Sequence, residues 1–346
     1  HAHASGVQSV ASWSVGGRHF LASVDAFGTL LTTRLPNEEE EEEEEEAPSA
    51  AAHRTARLAT ESVESGWAGI AVSPEHQRVV VAQHFDRTIS CVDLAHSSVS
   101  SASSSSSGGR YLSTRPTGGP PTDLAFLGTS GNCLAVTEGN AVSLWDLRCA
   151  PSSSSSSSSS AQFVCAPRNT SRHCPSSTQL LALCAPARGT DWPGGELLVA
   201  GEDRFVYTID PRKWRVRSRW RTPLKYEPAA MFRSPSHPSL CYVAGMDNDI
   251  MCGEANPGKS GGGMAAAAAA EMGKRKRAAE GRDFALTKLT MMHQTGFRGD
   301  APWCGMVVTP FVERGVQSDL LVAVSSSAAL YVVQNASKLA VVRENN

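Results

Sequence analysis

The sequence predicts an all-β chain built from one repeated unit of short strands, on three observations. Apolar and polar residues alternate at a period of two, as in VSLWDL (Val142–Leu147) and RFVYTID (Arg204–Asp210), with β-branched and aromatic residues enriched. Turn residues (Asp, Glu, Asn, Gly) punctuate these runs at short intervals, the pattern of antiparallel hairpins. The same arrangement recurs along the chain, and almost no segment carries the apolar stripe of an amphipathic helix.

Each unit has an apolar strand with small residues, a turn, and a second alternating strand. The first is LASVDAFGTLLTTRL (Leu21–Leu35), the second VVVAQHFDRTISCVDL (Val79–Leu94) and the third LAVTEGNAVSLWDLR (Leu134–Arg148). The fourth is LLVAGEDRFVYTIDPRK (Leu197–Lys213), the fifth CYVAGMDNDIMCGE (Cys241–Glu254), and the sixth, most degenerate, LLVAVSSSAALYVVQ (Leu320–Gln334). Ahead of each pair stands a further short apolar strand: SVASWS, WAGIAVSP, TDLAFLG, LLALCAP, PAAMFRSP and CGMVVTP in turn. Several of these end at a Pro-containing turn.

Low-complexity segments interrupt the units at about 36–60, 97–118, 151–177 and 255–282: a run of glutamates from Glu38 to Glu46, serine tracts, and a glycine-alanine stretch. Such compositions cannot bury enough apolar surface to order themselves, so they read as solvated insertions in loops. Spacings between equivalent points run from the low forties to about eighty residues, and without the insertions they approach the roughly 40–45 residues of a four-stranded propeller blade.

On these residues the chain resembles the WD-repeat β-propeller family, with Trp145-Asp146 as the signature dipeptide and Val92-Asp93, Ile209-Asp210, Asp203 and Asp247 as weaker equivalents. The resemblance implies one propeller domain over 1–346, with six recognisable blades and seven in the complete fold. The Gly-His pair that usually opens such repeats is not found in any unit, so the His–Asp contact that ties a typical blade is not expected. Glu138, Trp145, Asp146 and Arg148 resemble the W-D-x-R box by which some propellers dock on the damaged-DNA-binding adaptor of cullin-type ubiquitin ligases. That resemblance places these four residues at a protein-binding rim, where the planar guanidinium of Arg148 suits a carboxylate or backbone carbonyls.

Four other patterns bear on function. PRKWRVRSRWR (Pro211–Arg221) alternates at period two, so Arg215, Arg217 and Arg219 share one face of a strand as a basic contact surface, and Trp214 and Trp220 share the other. Lys274, Arg275, Lys276 and Arg277 form a cationic run fitting a nuclear localisation signal. Gly253, Gly258, Lys259 and Ser260 match the phosphate-loop pattern G-x-x-x-x-G-K-[ST]. A phosphate loop needs a strand buried on both faces before it and a helix after it. Here the preceding MDNDIMC is polar and three glycines follow, so the match reads as an accident of composition. Arg298-Gly299-Asp300 reads as part of a turn.

Composition narrows the function classes. With 32 Lys and Arg against 34 Asp and Glu, the net charge of −2 favours neither nucleic acid nor membrane as partner. No apolar run approaches the roughly 18 residues of a membrane span. The chain begins at His1, as a fragment or processed form does, and HAHASGVQSV lacks the charged and apolar regions of a secretory signal. The nine cysteines are scattered without a C-x-x-C pair, which fits free thiols in an intracellular protein and no metal centre. No H-E-x-x-H is present. The sequence therefore predicts a cytoplasmic or nuclear protein, not an enzyme and without cofactor. Its role is that of an interaction scaffold or adaptor subunit in a multiprotein complex. A ligase substrate receptor is the alternative, and a P-loop nucleotide-binding protein the remote one.

Overall fold

A computed structural model describes residues 3, 5–35, 64–94, 110–128, 131–148, 163–167, 178–185, 195–254, 289–290, 295–334 and 336. Among them the structure is all-β, arranged in six sheets, and the chain divides into two compact units, His1–Ala166 and Pro167–Asn346. Each unit holds three sheets.

In the first unit, β1 (Val7–Val15), β2 (Arg18–Asp25) and β3 (Leu30–Leu35) make the first sheet. The second contains β4 (Ala68–Ser73), β5 (Arg78–Gln83), β6 (Thr88–Asp93) and β7 (Arg110–Pro116). The third contains β8 (Pro121–Leu127), β9 (Cys133–Glu138), β10 (Ala141–Asp146) and β11 (Phe163–Cys165). In the second unit the fourth sheet begins with β12 (Leu180–Cys184), β13 (Leu197–Gly201), β14 (Phe205–Asp210) and β15 (Arg215–Arg221), and the fifth with β16 (Pro228–Arg233), β17 (Leu240–Gly245) and β18 (Asp249–Glu254). β19 (Leu289–Thr290) then joins β15 in parallel, and β20 (Thr295–Arg298) joins β18 in antiparallel fashion. β21 (Trp303–Glu313), β22 (Val316–Ser325) and β23 (Leu330–Val333) complete the sixth sheet. Apart from β19, all ladders are antiparallel and link strands in sequence order, the meander that short turns between alternating strands produce.

All six upstream strands and all six hairpins expected from the repeat are present. Two boundaries are corrected. β7 lies within the 97–118 segment assigned to an insertion, and β11 within the 151–177 segment. Each is the outer strand of its sheet, and a neighbouring serine tract hid it from a composition-based reading. The run Lys274–Arg277 lies outside the described residues.

The packing follows from period two. In β5, Val79 and Val81 point into a core shared with Trp13, Val24 and Leu30 of the first sheet. Val80 and Ala82 point the opposite way, into a core with Leu134, Val136 and Trp145 of the third. The second sheet is thus buried on both faces, which is why β5 reads RVVVAQ without a polar residue at alternate positions. β17 repeats this in the second unit: Cys241 and Val243 pack with Leu198, Val206 and Trp220, whereas Tyr242 and Ala244 pack with Met306, Leu321 and Ala323.

Polar side chains tie the stacked sheets at their ends. Buried Arg115 of β7 donates from Nη1 to the Asp146 carbonyl at 2.9 Å and from Nη2 to the Leu147 carbonyl at 3.1 Å. Buried Asp319 of β22 accepts from the Tyr242 hydroxyl at 2.8 Å and from the Ser236 N–H at 3.0 Å. Burial drives the Tyr242 phenol far above its ordinary range, so it stays a donor.

One histidine, ahead of β1, lies near the turn acid of the first sheet. His3 bonds through Nε2 to the Ser23 hydroxyl at 2.7 Å and turns Nδ1 toward Asp25 Oδ2 at 3.4 Å. Asp25 Oδ1 caps the turn that follows, accepting from the N–H groups of Phe27 at 3.0 Å and Thr29 at 2.8 Å.

Two-sided burial has a direct test. Val80→Ala and Val81→Ala, adjacent but on opposite faces, should each cost about 1–3 kcal/mol in urea denaturation. Val10→Ala in β1, 56% exposed, should stay within about 0.5 kcal/mol.

Candidate functional site

The W-D-x-R residues lie on β9, β10 and the turn after it. Gly139, at φ 57°, opens the two-residue turn that places Ala141 opposite Glu138. Continuing the register, Ser143 opposes Val136 and Trp145 opposes Leu134, so Ser143 and Trp145 share a face.

On that face three of the four residues are internal. Trp145 is fully buried, and its indole N–H is shared between Ser143 Oγ at 2.7 Å and Glu138 Oε1 at 3.0 Å. Ser143 also hydrogen-bonds Glu138 Oε1, while Glu138 Oε2 accepts from the Gly118 N–H at 2.7 Å. The carboxylate is buried and satisfied on both oxygens. Its role is to hold the indole and the strand entering β8. The rim position expected for Glu138, Trp145 and Asp146 is corrected accordingly: each is less than a tenth exposed, because the alternation that makes WD visible also points its tryptophan into the core.

Arg148 differs. Its side chain is 68% exposed, yet anchored on Asp146: Nε lies 3.0 Å from Oδ1 and 3.2 Å from Oδ2, and Nη2 lies 2.5 Å from Oδ2. The Arg148 backbone N–H caps the same carboxylate at 2.9 Å. Hydrogen bonding from Arg148 holds the Asp146 carboxyl below its ordinary range. The guanidinium therefore reaches solvent while paired with Asp146, at the strand end that Arg115 grips.

The basic strand divides too. Arg215 and Arg217 are exposed, Arg217 pairing with Glu196 at 2.6 Å. Arg219 is buried, its guanidinium 5.3 Å from the Phe205 ring centroid. Trp220 is buried in the core between the fourth and fifth sheets. The expected three-arginine face is corrected: the β14–β15 register shifts by one residue at Arg217, so Arg215, opposite Asp210, and Arg219, opposite Tyr207, lie on different faces.

Arg298-Gly299-Asp300 is occupied internally. Arg298 pairs with Asp249 at 2.7 Å, and Asp300 accepts from Ser327 and, at 2.8 Å, from the Tyr331 hydroxyl. Those bonds, Ser327 first, lower Asp300 to about 2. Of the phosphate-loop match, Gly253 sits inside β18, opposite Cys241 in an antiparallel ladder, where a phosphate loop follows a parallel strand. Gly258, Lys259 and Ser260 lie outside the described residues. Among the described residues no group of three or more His, Cys, Asp or Glu could hold a metal ion. Cys91 and Cys252 form no disulfide, and desolvation raises Cys91 to about 11 and Cys252 to about 12.

Sequence reasoning missed Arg115, hidden behind a serine tract, and His3, sought only beside a glycine. It also missed the Tyr242–Asp319 link, whose partners lie 77 positions apart.

No family model matches the chain, and no curated protein matches it. Among solved structures it is similar to Raptor from Chaetomium thermophilum, with a TM-score of 0.58 and 12% identity over 96% of this chain. That alignment takes in 23% of the Raptor chain, so this chain spans about a quarter of that protein's length. In all, 1297 solved chains match, so the fold is shared too widely to select a function by itself. The likeness is one of fold alone, and the six small antiparallel sheets are compatible with a β-propeller.

Two outcomes follow from this geometry. Trp145→Phe removes the donor to Glu138 and Ser143 and should cost about 1–3 kcal/mol in denaturant melts, whereas Arg148→Ala should cost less than about 1 kcal/mol. The depressed Asp300 carboxyl contributes stability that is complete above its ordinary value near 4 and is lost as pH falls toward 2. Ser327→Ala with Tyr331→Phe should raise the Asp300 titration toward that ordinary value in a carboxyl NMR titration.

Proposed function

We propose that this chain is a non-enzymatic protein-interaction scaffold, an adaptor subunit of an intracellular multiprotein complex. Its stacked sheets are read as blades of a WD-repeat β-propeller with seven blades in the complete fold. The observation carrying the reading is Arg148, an exposed guanidinium fixed by a carboxylate on a strand end that is itself held by buried bonds. Ordering a free arginine on binding costs side-chain entropy, and a pre-anchored one avoids most of that cost. Arginine presented this way suits a partner's carboxylate or backbone carbonyls. Exposed Phe85, Tyr226 and Met246, at turns between strands, are further residues of the kind enriched where proteins meet. Free buried thiols and the cationic run Lys274–Arg277 favour a cytoplasmic or nuclear setting.

The same arginine favours a narrower second reading, a substrate receptor of a cullin-type ubiquitin ligase. What supports it is that Arg148 reaches outward from the W-D-x-R residues, held on Asp146, while Trp145 is buried beside it.

Affinity purification of wild type beside Arg148→Ala, with mass spectrometry, tests both readings. The ligase adaptor recovered with wild type and lost with the variant supports the receptor. A stable complex recovered equally with both supports a scaffold that does not use Arg148. Recovery of the isolated chain alone in both cases overturns both readings.

A further inference from the structure

The loop that joins the fourth and fifth sheets carries an inference that deepens the scaffold reading and rests on it. Between β15 and β16 the chain runs through residues 222–227, and a turn of each flanking sheet grips it. Arg204, in the turn between β13 and β14, accepts from the Thr222 N–H at 2.9 Å and donates from Nη1 to the Lys225 carbonyl at 2.9 Å. Met246, in the turn between β17 and β18, donates its N–H to the Glu227 carbonyl at 2.8 Å. Between these bonds Leu224 is buried in the core that the two sheets share. The tip of the loop, Lys225-Tyr226, is thus held by its backbone from both sides.

Apolar surface and unused donors meet at that tip. Tyr226 is 46% exposed, and Met246, whose N–H holds the loop, is 59% exposed. The Lys225 ammonium lies 5.0 Å from the Tyr226 ring centroid, and neither it nor the Tyr226 hydroxyl has an acceptor among the described residues. An ammonium and a phenol hydroxyl on one ring suit a group that only accepts, and a carboxylate is such a group. The ring and the Met246 thioether suit an apolar side chain beside it. Nucleic acid fits less well. Glu202, Glu227 and Asp247 stand on the same loop and turns, and their charge opposes a row of phosphates. For the same reason a single carboxylate fits better than a run of them.

We propose that Lys225, Tyr226 and Met246 anchor a peptide segment of a partner protein that carries one Asp or Glu close to an apolar residue. The carboxylate accepts from the Lys225 ammonium and the Tyr226 hydroxyl, and the apolar side chain lies against Tyr226 and Met246. The loop is already held, so binding orders side chains and not backbone, which keeps the entropic cost low.

The test selects binders to the full chain from a phage-displayed library of random linear peptides. The enriched sequence is then made as a fluorescein-labelled peptide and titrated by anisotropy. Enriched sequences should share an Asp or Glu close to an apolar residue. Tyr226→Ala and Lys225→Glu should each weaken the labelled peptide at least about tenfold. Tyr226→Phe, which removes only the hydroxyl, should weaken it less than Tyr226→Ala. Replacing the peptide's Asp or Glu by the amide should abolish its sensitivity to Lys225→Glu. Circular dichroism of the variants, all changes at exposed sites, checks that the sheets persist.

A library that yields no enriched sequence would overturn the site, as would a peptide that binds both variants as tightly as wild type. A consensus without a carboxylate would overturn the choice of partner. So would a labelled oligothymidine that binds wild type and is lost with Tyr226→Ala. Arg148→Ala, in the other compact unit, should leave the peptide's affinity unchanged, so failure here leaves the Arg148 purification result unaffected.

Discussion

The burial of one sheet on both faces is the constraint on which the rest of each unit depends. β5 and β17 place neighbouring residues in different cores, so a polar group along the middle of either strand needs a buried partner, as the Tyr242 hydroxyl has in Asp319. A sheet of this kind cannot be stable alone, because each face needs a partner sheet. Stacking three sheets meets that need at the centre of each unit and confines polar chemistry to strand ends, turns and outer strands.

That confinement explains why the most conspicuous polar residues turned out to be structural. Glu138, Asp25 and Asp319 sit near strand ends or turns, where buried donors otherwise lack partners, and each accepts several bonds. A buried carboxylate so satisfied fixes register and holds a neighbouring loop. Arg115 does the same with the opposite charge, saturating carbonyls at the end of the adjacent sheet. Arg148 belongs to the same device but extends beyond it: its acid is internal and its guanidinium is not.

The similarity to a Raptor chain at 12% identity has a physical reading. What this fold requires is a pattern: period-two strands, apolar on both faces in central sheets, joined by turns that cap themselves. Many residue choices meet those requirements, so the frame persists while particular contacts change. Glu138 illustrates this, holding the Trp145 indole through a carboxylate that the Gly118 N–H also fixes.

The sequence by itself determined the class of fold, the six hairpins with their leading strands, and the basic strand near Arg215. Local alternation and turn chemistry act over a few residues and are visible without the third dimension. It could not show β7 and β11, whose short strands are masked by adjoining serine tracts. Tertiary structure alone decided which side chains are available. Trp145 and Arg148 stand three positions apart, yet one is sealed in a core and the other faces water, because that outcome depends on which sheet packs against β10. Arg215 and Arg219 are separated in the same way, because the register shift at Arg217 sets them opposite Asp210 and Tyr207, on different faces, and the second folds over the Phe205 ring. Period-two spacing names the face a residue occupies, and the neighbour across that face settles whether it is core, tie or contact.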